Sequence, residues 1–502
     1  MHANTPSPTK TSDQIRRFFN DRFPWPFWLI LLGATALRFS LSLWNRDFWY
    51  DEAFTGILLG SSWDEMNRMI VADVHPPLYY WLAKPLSSAF GYTPAGIRIF
   101  SVVMSIASLF PLYRIGVRMF SRRVATAAVF LFAFSPFAVE YAQEARMYSL
   151  FGFLMLLSVL HFHLALKEGR DRDWILWGVF GGLSFLTHYL SLFFFPLFFL
   201  VFVVWRISID KKKWWDAVFG NRGFWIGVAS IFPFFLGWSK IFMTHVSKGN
   251  LGWIDVTFFS VLPSTLQIFL FGHPPGTGGV PSANLFRAVF DGSSVGLIVL
   301  IILSALFALA WHEKRKRGEV LVLSGLSIGV LSLLIVLSHI GIKLYVSRYF
   351  MPAALFTYLL IPGLVFTRFK GRFALPIFLL TYSLLLVFLK PIPYDSDWSR
   401  IANMRTSGMF PERTVITTDP FDYTSARYYF GTDDVRYHNR NNPNEDFSGW
   451  VVVGNENRLL TTEAVREFPD AIIVTGSCDW VGLRLEEVFR LKKHSVCRLV
   501  RP

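Results

Sequence analysis

Ser191-Leu192-Phe193-Phe194-Phe195-Pro196-Leu197-Phe198-Phe199-Leu200-Val201-Phe202-Val203-Val204-Trp205 is a run of 15 residues without one charged side chain. In hydrocarbon a backbone is satisfied only by a helix or a closed barrel, and a spanning helix needs about 20 mainly apolar residues. With its flank this run reads as a spanning helix over 191 to 207. Similar runs lie at about 24 to 44, 94 to 113, 125 to 141, 147 to 166, 174 to 190, 223 to 243, 293 to 311, 319 to 340, 349 to 367 and 374 to 390. The reading is an α-helical polytopic membrane protein with about 11 transmembrane helices.

Composition agrees. Of 502 residues 53% are hydrophobic, 17% are charged and 52 are Phe, which does not suit a set of soluble domains. The net charge of +14 would raise the question of nucleic acid in a soluble chain. Residues 1 to 390 carry a net +16 and residues 391 to 502 a net −2, so the excess belongs to the hydrophobic part and nucleic acid is not a partner. Taking 1 to 23 as a cytoplasmic N-terminal segment, alternate loops hold 23 Lys and Arg, among them Arg122, Arg123, Lys211 to Lys213 and Lys314 to Arg317, against about eight in the others. The positive-inside bias then puts the N-terminus in the cytoplasm and, with an odd number of spans, residues 391 to 502 on the outer face.

That last segment changes character. Short β-rich runs at Thr414–Thr417, Trp450–Gly454 and Ala471–Val474 alternate with helical patterns such as Thr461–Phe468, which reads as a small extracytoplasmic α/β domain. Both cysteines of the chain, Cys478 and Cys497, lie here. They read equally as a disulfide of an oxidising compartment and as two buried thiols.

Four groups of ionisable and aromatic residues fall at the outer ends of separate spans. The first outer loop, 45 to 93, holds Asp51 and Glu52 and then His75-Pro76-Pro77-Leu78-Tyr79-Tyr80. A second group runs from Ser135 to Tyr148 with Glu140, Glu144 and Arg146, a third is His188-Tyr189, and the fourth is Lys343-Leu344-Tyr345-Val346-Ser347-Arg348. Adjacent carboxylates can supply a general base, while guanidinium, ammonium and imidazole groups suit phosphate. Acids and cations gathered on one face fit a reaction on an anionic, lipid-carried substrate. A transporter or flippase of lipid-linked saccharides is the other class to weigh, although inverted repeats and paired broken helices are not evident.

Asp51-Glu52, the His75 to Tyr80 run, Arg118 to Arg123, Tyr141 to Tyr148, Thr187-His188-Tyr189 and Ser347 to Phe350 together resemble the large polytopic GT-C glycosyltransferases that use polyprenyl-phosphate sugars. The resemblance is to bacterial relatives of the protein O-mannosyltransferases and of the aminoarabinose lipid A transferases. It covers about 24 to 367 and implies 11 to 13 spans, with short helices of the first outer loop lying along the membrane. It implies transfer, with inversion, from a polyprenyl-phosphate sugar to an envelope lipid, glycan or protein at the outer face of a bacterial inner membrane. In that likeness Asp51 is the catalytic base with Glu52 as its acidic neighbour. His75, Tyr79, Glu144, Arg146, His188, Lys343, Tyr345 and Arg348 bind donor phosphate or substrate. The likeness fixes no cofactor, and a divalent metal ion at Asp51 and Glu144 is the candidate left open. The outer loop of about 244 to 292 is too short for the soluble insertion of the eukaryotic mannosyltransferases.

Overall fold

The computed structural model describes residues 23–40, 47–248, 258–272, parts of 298–308, 316–341, 344–388, 397–409, 414–431, 433–438, 452, 457–480, 483–491 and 493–500. The helices are α1 (Trp25–Arg38), α2 (Tyr50–Gly60), α3 (Trp63–Ala72), α4 (Leu78–Phe90), α5 (Pro94–Met119), α6 (Arg122–Phe134), α7 (Pro136–Ala142), α8 (Tyr148–Glu168), α9 (Asp171–Phe185), α10 (Phe194–Ser208), α11 (Trp214–Val218), α12 (Arg222–Lys248), α13 (Phe258–Phe271), α14 (Arg317–His339), α15 (Met351–Arg368) and α16 (Ala374–Phe388). Among the described residues six helices are long and apolar enough to span, and seven if the bent pair α6 and α7 is one span. The expected run over 293 to 311 lies mostly outside the described residues. This is a multi-span helical membrane protein, and Leu236, Met243, Ile377 and Leu380 expose the apolar faces of α12 and α16 as lipid-facing helices do.

Packing follows small residues and prolines. Helix α8 sits between α5, α9 and α15, and α9 lies along α12. At that crossing a Cβ on Gly178 would come within 2.1 Å of the Gly227 carbonyl oxygen, so the two backbones meet where neither residue has a side chain.

Two expectations are corrected. The run 125 to 141 is not one helix: α6 and α7 meet at Ser135 with a 60° bend. Pro136 has no N–H to bond the Phe132 carbonyl, which would otherwise be its partner one turn back. The buried Arg38 guanidinium takes over, donating to Phe132 O (3.1 Å) and Ala133 O (2.9 Å). The stretch 244 to 292 is not only a loop, since it contains α13. Ser135 and Tyr358 both donate to the Phe269 carbonyl of that helix.

The C-terminal segment contains α17 (Trp398–Thr406), β1 (Val415–Thr417), α18 (Pro420–Phe430), β2 (Val435–Tyr437), α19 (Thr462–Arg466), β3 (Ile472–Thr475), β4 (Leu485–Arg490) and β5 (Ser495–Leu499). The sheet order is β2-β1-β3-β5-β4; β1 is parallel to both neighbours, and β5 is antiparallel to β3 and β4. Strand alternation sends Val415, Ile472 and Val474 to one apolar cluster and Ile416, Ile473 and Cys497 to the other. Of the expected strands, that at 450 to 454 lies outside the described residues except for Val452. Cys478 and Cys497 are joined by a disulfide.

This segment is held against the start of α2. Tyr429 Oη accepts from Phe48 N–H (3.0 Å), Asp47 Oδ2 accepts from Ser399 N–H (3.1 Å), and the Phe48 and Tyr428 rings lie 4.7 Å apart. Gly56 makes this possible, because a Cβ there would come within 2.6 Å of the Tyr428 ring.

His494 clips the β4–β5 turn to two helices, with Nδ1 3.2 Å from Asp397 Oδ2 and Nε2 2.9 Å from Asp422 Oδ1. Burial pulls its pKa down, but the hydrogen bond and charge of Asp422, joined by Asp397, outweigh this and raise it above the ordinary 6.5. A raised folded pKa means that the contribution is complete below the unfolded value and is lost as pH rises through the folded one. The melting temperature of wild type should therefore exceed that of His494→Gln by more at about pH 5.5 than at about pH 8.5; an equal gap at both would contradict the clip. Thiol titration of the denatured, unreduced protein should find no free thiol, and two after reduction.

Candidate active site

Asp51 and Glu52 lie in the first turn of α2, where the helix dipole favours carboxylates. Successive side chains on a helix point about 100° apart, so the two acids face different neighbours. Glu52 faces inward and is fully buried. Its Oε1 and Oε2 each accept from Arg98 at 2.7 Å, and Oε1 also accepts from Ala145 N–H at 2.8 Å. Arg98, equally buried, donates further to Asp47 O (2.9 Å) and lies over the Phe48 ring. This corrects the expectation of a catalytic acid pair: a carboxylate saturated by a bidentate guanidinium and a backbone N–H is not placed to take a proton from a substrate.

Asp51 is the less encumbered acid of the two. It is 7% exposed, and Arg348 Nη2 lies 3.7 Å from its Oδ2, with the Arg348 guanidinium over the rings of Trp49 and Tyr349. Arg146 comes from the turn between α7 and α8 and donates from Nη1 to Asp51 O (3.4 Å) and from Nη2 to His75 Nε2 (2.8 Å). A guanidinium can only donate, so Nε2 of His75 is the acceptor and its ring hydrogen sits on Nδ1, facing Asp73 Oδ2 at 2.5 Å. Burial raises the pKa of Asp73, but the His75 imidazole and the Val74 N–H hold it below the ordinary carboxylate value. The Asp73, His75 and Arg146 side chains thus form one relay that ends beside Asp51. His75 is a support of Arg146, with both ring nitrogens engaged, where a direct phosphate contact was expected.

Two donors of this group are unmet. Nε of Arg146 and Nε of Arg348 are buried and have no hydrogen-bond partner among the described residues. Buried donors of charged groups are rarely left so, and an anion with several acceptor oxygens would satisfy both. His188 lies close by, stacked on Phe151 and edge-on to Tyr349; its Nδ1 accepts from Leu190 N–H, which leaves the ring hydrogen on Nε2.

Other expected residues fall elsewhere. Tyr79 is fully buried and bonded to Ser101 Oγ (3.0 Å), which in turn donates to Arg146 O, so it packs beneath the site and does not face a substrate. Tyr345 is buried with its hydroxyl on Thr265 of α13, away from the acids. Lys343 lies outside the described residues. Glu144 is 4% exposed and within electrostatic reach of Arg98 and Arg146. Among the described residues no three His, Cys, Asp or Glu side chains converge as metal ligands, and the nearest charges to Asp51 are guanidinium groups. That donor set does not fit the divalent ion considered for Asp51 and Glu144.

Two contributors escaped the sequence reading. Arg98 stands inside an expected span, and a charge there is itself a signal for a buried partner. Asp73 is two residues from His75, the spacing of a local carboxylate–imidazole pair.

Comparison with known proteins bears on the family and the fold. Residues 74–231 match the model of a family described as dolichyl-phosphate-mannose-protein mannosyltransferase. Undecaprenyl phosphate-α-4-amino-4-deoxy-L-arabinose arabinosyl transferases of Pseudomonas aeruginosa and Pseudomonas paraeruginosa are 28% and 27% identical over 172 residues. The match spans 32% of this chain and 31% of theirs. Among solved structures, apo ArnT from Cupriavidus metallidurans is 12% identical with a TM-score of 0.59, covering 93% of this chain and 97% of that one. The Archaeoglobus fulgidus oligosaccharyltransferase complex with Zn and sulfate is 13% identical with a TM-score of 0.52, covering 90% and 68%. This chain shares the fold of both.

Removing one partner of a fully buried ion pair leaves an uncompensated charge and costs about 3–5 kcal/mol. Glu52→Ala should therefore lower the melting temperature of the purified protein sharply, whereas Asp51→Asn, at a looser and partly exposed pair, should leave it within a few degrees. Equal effects of the two would contradict the division of roles.

Proposed function

We propose that this chain is a membrane glycosyltransferase that moves a sugar from a polyprenyl-phosphate donor to an envelope lipid, glycan or protein, with inversion. The observation that carries the reading is the meeting of Asp51 with two guanidinium groups whose buried Nε donors are unmet. The shared fold and the family match over 74–231 support it.

In this reading the donor phosphate is held by Arg348 and Arg146, with the Nε2–H of His188 as a further donor. An acceptor hydroxyl attacks C1 of the sugar from the face opposite the phosphate. Asp51 takes the hydroxyl proton as the new C–O bond forms; the bond from C1 to the phosphate oxygen breaks, and its electron pair stays on the phosphate. A phosphate leaving group needs little protonation, so the main contribution is stabilisation of the charge that develops on it, which fixed guanidinium groups supply without reorganising. Asp73 and His75 keep Arg146 in place, while Glu52 and Arg98 keep α2 at the rotation that presents Asp51.

The site is assigned to the outer face of a bacterial inner membrane. The cation distribution along the chain supports that side, and so does the Cys478–Cys497 disulfide, since such bonds persist in oxidising compartments.

Transfer from a radiolabelled polyprenyl-phosphate sugar to membrane acceptors should fall about 10²- to 10⁴-fold in Asp51→Asn, the range of a lost general base. Donor binding should stay near wild type in that variant. Arg348→Gln should weaken donor binding about 10- to 100-fold, the equivalent of one charge-assisted hydrogen bond. Undiminished transfer by Asp51→Asn would overturn the assignment of the base.

A further inference from the structure

The C-terminal sheet contains a crevice that the mechanism above does not use. From β1 the chain runs through α18 to β2 on one side and later returns through α19 to β3 on the other. The connection leaving β1 turns to β2 on one side and the connection leaving β3 turns to β4 on the other, and in parallel sheets ligands bind at such a switch point, outside the carboxyl ends of the strands. A crevice of about 500 Å³ lies there, lined by Thr418 and Asp419 after β1, by Thr475 and Ser477 at the end of β3, and by Asp422 and His494.

The lining selects a chemistry. Asp419 Oδ1 accepts from Phe421 N–H and Asp422 N–H, and Asp422 Oδ1 is bonded to His494; the Oδ2 atoms of both have no hydrogen-bond partner among the described residues. The two carboxylates match Lys493 and His494 in number, which leaves the crevice without the surplus of cations that a phosphate or a nucleotide calls for. No three-ligand metal group exists among the described residues. What remains matched is a neutral ligand rich in hydroxyls: each vicinal diol donates to a carboxylate oxygen and accepts from the Lys493 ammonium or from the Thr475 hydroxyl, since Thr418 already donates to Thr475 and Ser477 to Asp479.

One aromatic contact links the crevice to the start of α2. Phe421, between Asp419 and Asp422, packs its ring 4.5 Å from that of Tyr50, the residue before Asp51. We propose that this crevice is a saccharide-binding site, and that it holds the glycan part of the acceptor next to Asp51. The second clause rests on the glycosyltransferase reading; the binding of saccharide does not.

The test is saturation-transfer NMR on the full-length protein in detergent micelles. The probes are methyl α-D-glucopyranoside, methyl α-D-mannopyranoside, methyl β-D-galactopyranoside and N-acetyl-D-glucosamine, with inorganic phosphate followed by ³¹P line width. Wild type, Asp51→Asn and Ser477→Ala should all transfer saturation to at least one sugar. Ser477→Trp, which fills the crevice from an exposed position, should reduce the signal at least fivefold, and Lys493→Glu at a second exposed position should reduce it as well. Silence from every sugar, an unchanged signal in both Ser477→Trp and Lys493→Glu, or broadening of phosphate alone would overturn the proposal. Sugar binding that is lost in these two variants, together with undiminished transfer by Asp51→Asn, would sink the assignment of the base and leave the saccharide site standing.

Discussion

The Glu52–Arg98 ion pair is the constraint on which the site depends. Both side chains are fully buried, their two hydrogen bonds are parallel and short, and the same carboxylate holds Ala145 N–H in the turn that carries Arg146. One group therefore fixes the rotation of α2 against α5 and the position of the α7–α8 turn together. Asp51 follows from this, because a helix anchored at one residue presents its neighbour about 100° away. A buried pair of this kind is costly to form and gives little net stability, so its value here is geometric.

A second level of support comes from the C-terminal segment. Tyr429, Tyr428, Phe421 and Ser399 all contact the residues that lead into α2. The start of α2 is thereby held from the membrane side by Arg98 and from the opposite side by the sheet domain.

Much of the fold was legible because hydropathy is local: a run such as 191 to 205 needs no partner to be read. The bend at Ser135-Pro136 was not, since proline within an apolar run allows either a kink or a break, and the break is stabilised by Arg38, about 95 residues away. The site was legible as a set of residue types and less so as a set of roles. Asp51 and Glu52 are chemical near-twins in sequence, and only the distant Arg98 separates them. Tyr79 stands beside His75 in the chain, yet α4 begins between them and turns its hydroxyl down to Ser101. An imidazole in an outer loop suits a phosphate, whereas the two nitrogens of His75 are taken by Asp73 and Arg146, a pairing that depends on a turn 71 residues later.

In the proposed mechanism Arg146 and Arg348 hold a lipid phosphate beside Asp51. An experimental map of the protein in nanodiscs with a polyprenyl phosphate tests this most directly. Phosphate density should appear within hydrogen-bonding distance of the Nε atoms of Arg146 and Arg348, with Asp51 next to it and Glu52 still paired to Arg98. Phosphate density seated elsewhere, with both guanidinium groups keeping only their present partners, would contradict it.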